Sequence, residues 1–104
     1  MITPEQKAHF ETFGFLVLRQ VFSQDEVATI KRESEEIFRE ARHGKPFKGN
    51  QRQAVQPFFE RRPFLSQLVD DDRIYGIGEG LLGPDFILDV TEGNLHVGDT
   101  QWHG

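Results

Sequence analysis

The run Ser23-Gln24-Asp25-Glu26, followed by a regular apolar stripe, constrains this chain more than any other stretch. Serine with glutamate three residues later is a capping box. The hydroxyl accepts from the third helical amide, and the carboxylate reaches back to the serine's own N–H. Phe22 before it and Val27 after it occupy the two positions of a hydrophobic staple. Val27, Ile30, Ser34, Ile37, Phe38 and Ala41 then recur at helical spacing, with only Ser34 polar. The spacing predicts one long amphipathic helix reaching about Arg42 and closed by Gly44. Its apolar face must be covered by other elements. On the wet face Glu35 and Arg39 are placed to pair across a turn, for about 0.3 kcal/mol. The charged run Lys31 to Glu36 reads as a solvated helix face.

A first helix precedes it. Thr3 caps, Pro4 suits the first helical position and Gln6 completes a capping box. This helix is predicted to stop near Phe13, with Gly14 in the left-handed conformation. Phe10 and Phe13 would share its buried face, with His9 a surface or half-buried neighbour. Phe15 to Arg19 is short and continuously apolar up to its last residue, and is predicted to be a buried strand. From Lys45 to Pro57 the chain is polar and irregular, a long loop of the kind that often carries function. Its basic residues Lys45, Lys48 and Arg52, with Arg61 and Arg62 soon after, have two readings. They line the approach to an anionic substrate, or they are ordinary solubilising charge, which is the commoner case.

Phe58-Phe59-Glu60 reads as a brief extended piece, and Pro63 opens a short helix with Phe64, Leu65, Leu68 and Val69 apolar. In the acidic run Asp70-Asp71-Asp72 three adjacent residues do not converge on one point, so one of them is expected to cap the next helix. Ile74, Ile77, Leu81 and Leu82 would face inward on that helix. Gly78-Glu79-Gly80-Leu81-Leu82-Gly83 matches the G-x-G-x-x-G string of dinucleotide loops. That loop must follow a strand and open a helix. Here the string follows a helical pattern and runs into Pro84, so a helix closes where the motif needs one to begin. Phe86 to Thr91 is then predicted as a strand, Glu92-Gly93-Asn94 as a turn, and Leu95 to Gln101 as a second strand paired back on the first.

The totals bound the function. A length of 104 residues suits one modest domain. Hydrophobic residues make up only 37%, which the ten phenylalanines partly offset through the area each can bury. A net charge of −5 argues against nucleic acid or anionic lipid as partner, since both require a basic surface. There is no cysteine, hence no disulfide and no thiolate metal site. No signal pattern or membrane-length apolar run is present, so a soluble, cytoplasmic protein is the expectation.

The last ten residues, Leu95 to Gly104, hold two of the four histidines and the only tryptophan. Facial-triad iron sites use two histidines and one carboxylate, leaving open positions for a cosubstrate and oxygen. A His-x-Asp pair at a strand end serves this purpose because residues i and i+2 point to the same side. His103-Gly104 supplies the first two letters of that pair. His96 lies seven residues earlier, on the opposite face of a straight strand and about 20 Å or more away by strand rise.

Gly98-Asp99-Thr100-Gln101-Trp102-His103-Gly104 resembles the Gly-Asp-Thr-x-Trp-His-x-Asp signature of the phytanoyl-CoA dioxygenase family, which includes ectoine hydroxylase-like enzymes. The opening Phe13-Gly14-Phe15-Leu16-Val17-Leu18-Arg19, then Val21-Phe22-Ser23 and a long helix, is similar to that family's N-terminal pattern, as are Leu81-Leu82-Gly83 and Phe86-Ile87. The resemblance implies an α+β chain: N-terminal helices and then the first strands of a double-stranded β-helix (jelly roll), incomplete over residues 1–104. It implies an Fe(II)- and 2-oxoglutarate-dependent dioxygenase that hydroxylates a small-molecule C–H bond. By the same resemblance His103 is an iron ligand, Trp102 packs beside it and Thr100 lines the cosubstrate pocket. The carboxylate ligand, the second histidine and the basic residue that anchors 2-oxoglutarate are expected downstream of Gly104. No catalytic residue is therefore assigned, and the 104-residue chain alone is expected to be inactive. Two alternatives stand beside this reading: a non-enzymatic binding module of the same fold, and a subunit that completes its sheet with a partner chain.

Overall fold

The computed structural model describes residues 2–49 and 52–96. The architecture is α+β: four helices and a two-stranded antiparallel sheet, in the order α1 (Pro4–Phe13), α2 (Gln24–Ala41), β1 (Gln53–Val55), a 3₁₀ turn (Phe59–Arg61), α3 (Pro63–Leu68), α4 (Asp72–Leu82) and β2 (Gly93–Leu95).

The helices form where local chemistry directs them. Both capping boxes are closed in both directions: Thr3 with Gln6 at the start of α1, and Ser23 with Glu26 at the start of α2. Gly14 takes φ +80°, and its N–H returns to the Phe10 carbonyl. After Ala41 the Gly44 N–H donates to the Arg39 carbonyl. Asp71 is the acid that caps α4, accepting from the Arg73 N–H at 2.8 Å.

The core lies between α2, α3 and the sheet. Ile37 and Phe38 of α2, Val55 of β1, Phe58, and Leu65 and Leu68 of α3 are buried. Phe22, Ile30, Phe59, Phe64 and Leu95 pack around them. The stripe of α2 is thus fully buried only at Ile37 and Phe38, in its C-terminal half, and Val27 is exposed. α1 and α4 pack on each other outside this core and bury no residue completely. Phe13 points outward, 63% exposed, so it does not share a buried face with the half-buried Phe10. Ile77 and Leu81 are half-buried as expected, while Ile74 and Leu82 are exposed.

Several strand expectations are overturned. Phe15 to Arg19 is irregular, and Phe15 and Val17 are more than half exposed. Phe86 to Val90 is also irregular, and Ile87 is 88% exposed. The predicted turn at Gly93-Asn94 is itself the strand β2. Its partner is β1, in the register Gln53↔Leu95, Ala54↔Asn94, Val55↔Gly93. The sheet therefore joins segments some forty residues apart rather than closing a local hairpin. Phe59 to Arg61 forms a 3₁₀ turn and not an extended piece.

Two charge expectations also change. Among the described residues Glu35 and Arg39 form no ion pair, and Arg62 instead pairs with α2, reaching Glu36 at 3.2 Å and also Glu40. Glu33 leaves the solvated run: only 6% exposed, its carboxylate accepts the Leu65 N–H at 3.1 Å. Leu65 is the third residue of α3, a helix with no capping side chain of its own. Glu33 provides that cap from a neighbouring helix.

The G-x-G-x-x-G string has three structural explanations. A Cβ at Gly78 would come within 2.7 Å of the Phe86 ring, and one at Gly80 within 2.9 Å of Ile2. Gly83 ends α4 at φ +87°, which a side chain would disfavour.

Candidate functional site

The residues assigned by resemblance to iron and cosubstrate, His103, Trp102 and Thr100, lie outside the described residues. So does the strand predicted beyond His96. Among the described residues no three His, Asp or Glu side chains converge to hold a metal ion. His96 is exposed at the end of β2.

The structure does show how the chain leading to those residues is held. Thr91 is buried two residues before β2. Its hydroxyl oxygen accepts the N–H groups of Phe58 at 3.0 Å and Phe59 at 3.3 Å, and its proton goes to the Glu60 carboxylate. This one side chain satisfies the amides that open the 3₁₀ turn. Gly93 then passes beneath Phe58 so closely that an added Cβ would lie 2.3 Å from the ring. Thr91, Gly93 and the pairing with β1 together fix the start of the C-terminal segment. Sequence reading missed Thr91 because a threonine in an apolar run reads as an ordinary strand residue.

The basic residues after α2 separate into two groups. Lys45, Lys48 and Arg52 line one cavity of about 320 Å³, together with Arg42, Phe47 and Gln53. Arg61 and Arg62 lie elsewhere: the Arg61 side chain donates to the Pro57 carbonyl, and Arg62 is held by Glu36 and Glu40. Arg42 was read as a helix end and not as a site residue. Its Nε donates to the Lys45 carbonyl at 2.8 Å, and one terminal nitrogen donates to Gln53 Oε1 at 2.8 Å. Gln53 in turn donates to the Phe38 carbonyl at 2.9 Å. The guanidinium also lies 5.8 Å from the centre of the Phe47 ring. Among the described residues none of the four cations is paired with a carboxylate. A second cavity, of about 460 Å³, runs along α2 from Ile30 to Arg42 and reaches Leu95.

At the other end of α2, Arg73 bridges Glu26 and Asp71 at 2.7 and 2.9 Å and donates to the Val21 carbonyl. Its guanidinium lies over Phe22, 4.6 Å from the ring centre. The hydrogen bonds from Arg73 hold the Glu26 and Asp71 carboxyls down to about 2. This cluster joins the N-termini of α2 and α4 and leaves Arg73 committed to structure.

Comparison with curated proteins finds the ectoine dioxygenase of Stutzerimonas stutzeri (strain A1501), 30% identical over 112 aligned positions. The alignment covers 98% of this chain and 37% of that enzyme, so the chain spans little more than a third of the relative's length. No family model matches, and no solved structure matches. Among the described residues no helix is long and apolar enough to cross a membrane.

Proposed function

We propose that residues 1–104 are the N-terminal part of a single dioxygenase domain that uses Fe(II) and 2-oxoglutarate to hydroxylate a small molecule. The observation that carries this reading is the similarity to an ectoine dioxygenase along nearly the whole chain, joined to the Gly98–Gly104 motif at its end. In this reading His103 holds iron, Trp102 packs beside it and Thr100 borders the cosubstrate. The bound iron and 2-oxoglutarate supply the oxidising chemistry. Residues 2–96 supply the scaffold: β1, Thr91 and Gly93 set where β2 leaves the core.

The exposed apolar segments support the same reading. Among the described residues neither Phe15–Arg19 nor Phe86–Val90 makes a backbone–backbone hydrogen bond, yet both are rich in strand-forming residues. They have the composition of strands whose partners are supplied by further chain, as a jelly roll requires. The net charge of −5 is consistent with a small-molecule substrate and with neither nucleic acid nor membrane as partner.

The test compares this chain with a polypeptide extended along the same reading frame. The 104-residue chain is expected to bind no Fe(II) tightly and to form no succinate from 2-oxoglutarate. The extended protein is expected to do both, and to lose both on His103→Ala. If the two behave alike, or the frame continues with neither an acid nor a second histidine, the reading fails.

A further inference from the structure

We propose that the cavity at the C-terminal end of α2, bounded by Arg42, Lys45, Phe47, Lys48, Arg52 and Gln53, is a binding site for a small organic dianion, a phosphate monoester or a dicarboxylate. The proposal rests on the geometry of the helix end and its loop. It needs no metal and is independent of the oxygenase reading.

Charge provides the first argument. In a chain of net charge −5, this 320 Å³ cavity is lined by four cations and no carboxylate. The arginines that serve structure are treated differently: Arg62 and Arg73 are each held by two acids.

Preorganisation provides the second. Arg42 is fixed by the chain itself, through the Lys45 carbonyl and Gln53, and Gln53 is fixed by the Phe38 carbonyl and by its place in β1. Two of its five N–H donors are in use, and among the described residues the other three have no acceptor. A guanidinium held in this way presents a planar fork matched to a carboxylate or phosphate. Lys45, Lys48 and Arg52 are exposed and long enough to close over the same anion as point charges. Phe47 offers an apolar surface to the organic part of the ligand. An exposed ion pair contributes little alone, so the strength of the site lies in three further cations placed around a fork that is already oriented.

The experiment is calorimetric titration of the full chain with phenyl phosphate, phthalate and benzyl alcohol. A dianion is expected to bind with a Kd on the order of 1 mM or tighter, more weakly as salt is raised, while the neutral alcohol does not bind. The stronger of the two dianions identifies the oxyanion the site prefers. Lys48→Ala with Arg52→Ala is expected to weaken binding about 10-fold, with an unchanged far-UV circular dichroism spectrum, because both side chains are exposed. Should the double variant fold poorly, Arg52→Ala alone carries the test with a smaller loss. Arg32→Ala, which removes a cation on α2 outside the cavity, is expected to leave the affinity unchanged. Absence of binding by both dianions, equal binding by the alcohol, or equal affinity in the Lys48/Arg52 variants would overturn the proposal.

Discussion

Replacing Glu33 tests whether one helix of this fold is capped by another. The carboxylate is 6% exposed and accepts the Leu65 N–H at 3.1 Å, at the third residue of α3. Glu33→Ala leaves that buried amide without an acceptor. An orphaned buried donor costs about 1–3 kcal/mol, and loss of a negative charge at a helix N-terminus adds about 0.5 kcal/mol. Against this, removing the carboxylate also removes the cost of burying it, which Arg32 at 4.0 Å offsets only in part. The net expectation is a loss of about 2 kcal/mol. Glu33→Gln keeps a carbonyl oxygen for the amide and forfeits only the charge, so it should cost less than half as much. Urea unfolding followed by far-UV circular dichroism reads both as shifts in midpoint at constant slope. If Glu33→Ala unfolds within about 0.5 kcal/mol of the parent chain, or if Gln proves as damaging as Ala, the cap does not contribute as argued.

Thr91→Val keeps the shape and removes the hydroxyl that serves the Phe58 and Phe59 amides, and should cost about 2 kcal/mol; Thr91→Ser should restore most of it in the same assay. Gly93→Ala should destabilise by about 1–3 kcal/mol because the methyl group meets the Phe58 ring. Gly76→Ala, within α4 and facing open space, should instead stabilise by about 0.5–1 kcal/mol. Glu26 and Asp71 have folded pKa values of about 2 against ordinary values of 4.5 and 3.8, so their contribution is present above the ordinary values and is lost as pH falls toward about 2. Urea midpoints measured down that window should decline, and Arg73→Gln should flatten the decline.

The helices were legible because their instructions are local. Thr3 with Gln6 and Ser23 with Glu26 each specify a terminus within three residues and act as read, and the acidic run Asp70–Asp72 supplies a cap for α4, which the structure assigns to Asp71. Glu33 was not legible, since nothing within α2 shows that its carboxylate serves a helix thirty residues later. The candidate site divides in the same way. The basic character of Lys45, Lys48 and Arg52 is evident in sequence, but the inclusion of Arg42 depends on where α2 stops and on a glutamine in β1. The pairing of Arg61 and Arg62 elsewhere depends on the packing of α3.

The strands show why composition and pairing are separate questions. Phe15–Arg19 and Phe86–Val90 have the residues of buried strands and lie largely exposed, with only Leu16, Leu18 and Phe86 half-buried. Gly93–Leu95, with a glycine and an asparagine, reads as a turn and is a strand. A strand needs an edge to pair with as well as apolar side chains. Val55 and Leu95 anchor a short ladder because Phe38 and Phe58 pack against it and Thr91 fixes its approach. The two longer apolar segments have no such edge among the described residues. The fold therefore makes a discriminating demand on any polypeptide that completes it. Added chain should bring amide-exchange protection to Phe15–Arg19 and Phe86–Val90 while leaving the protection of α2 and α3 unchanged. If those two segments exchange freely in the extended protein, they are not sheet strands, and the support they lend to the jelly-roll reading is lost.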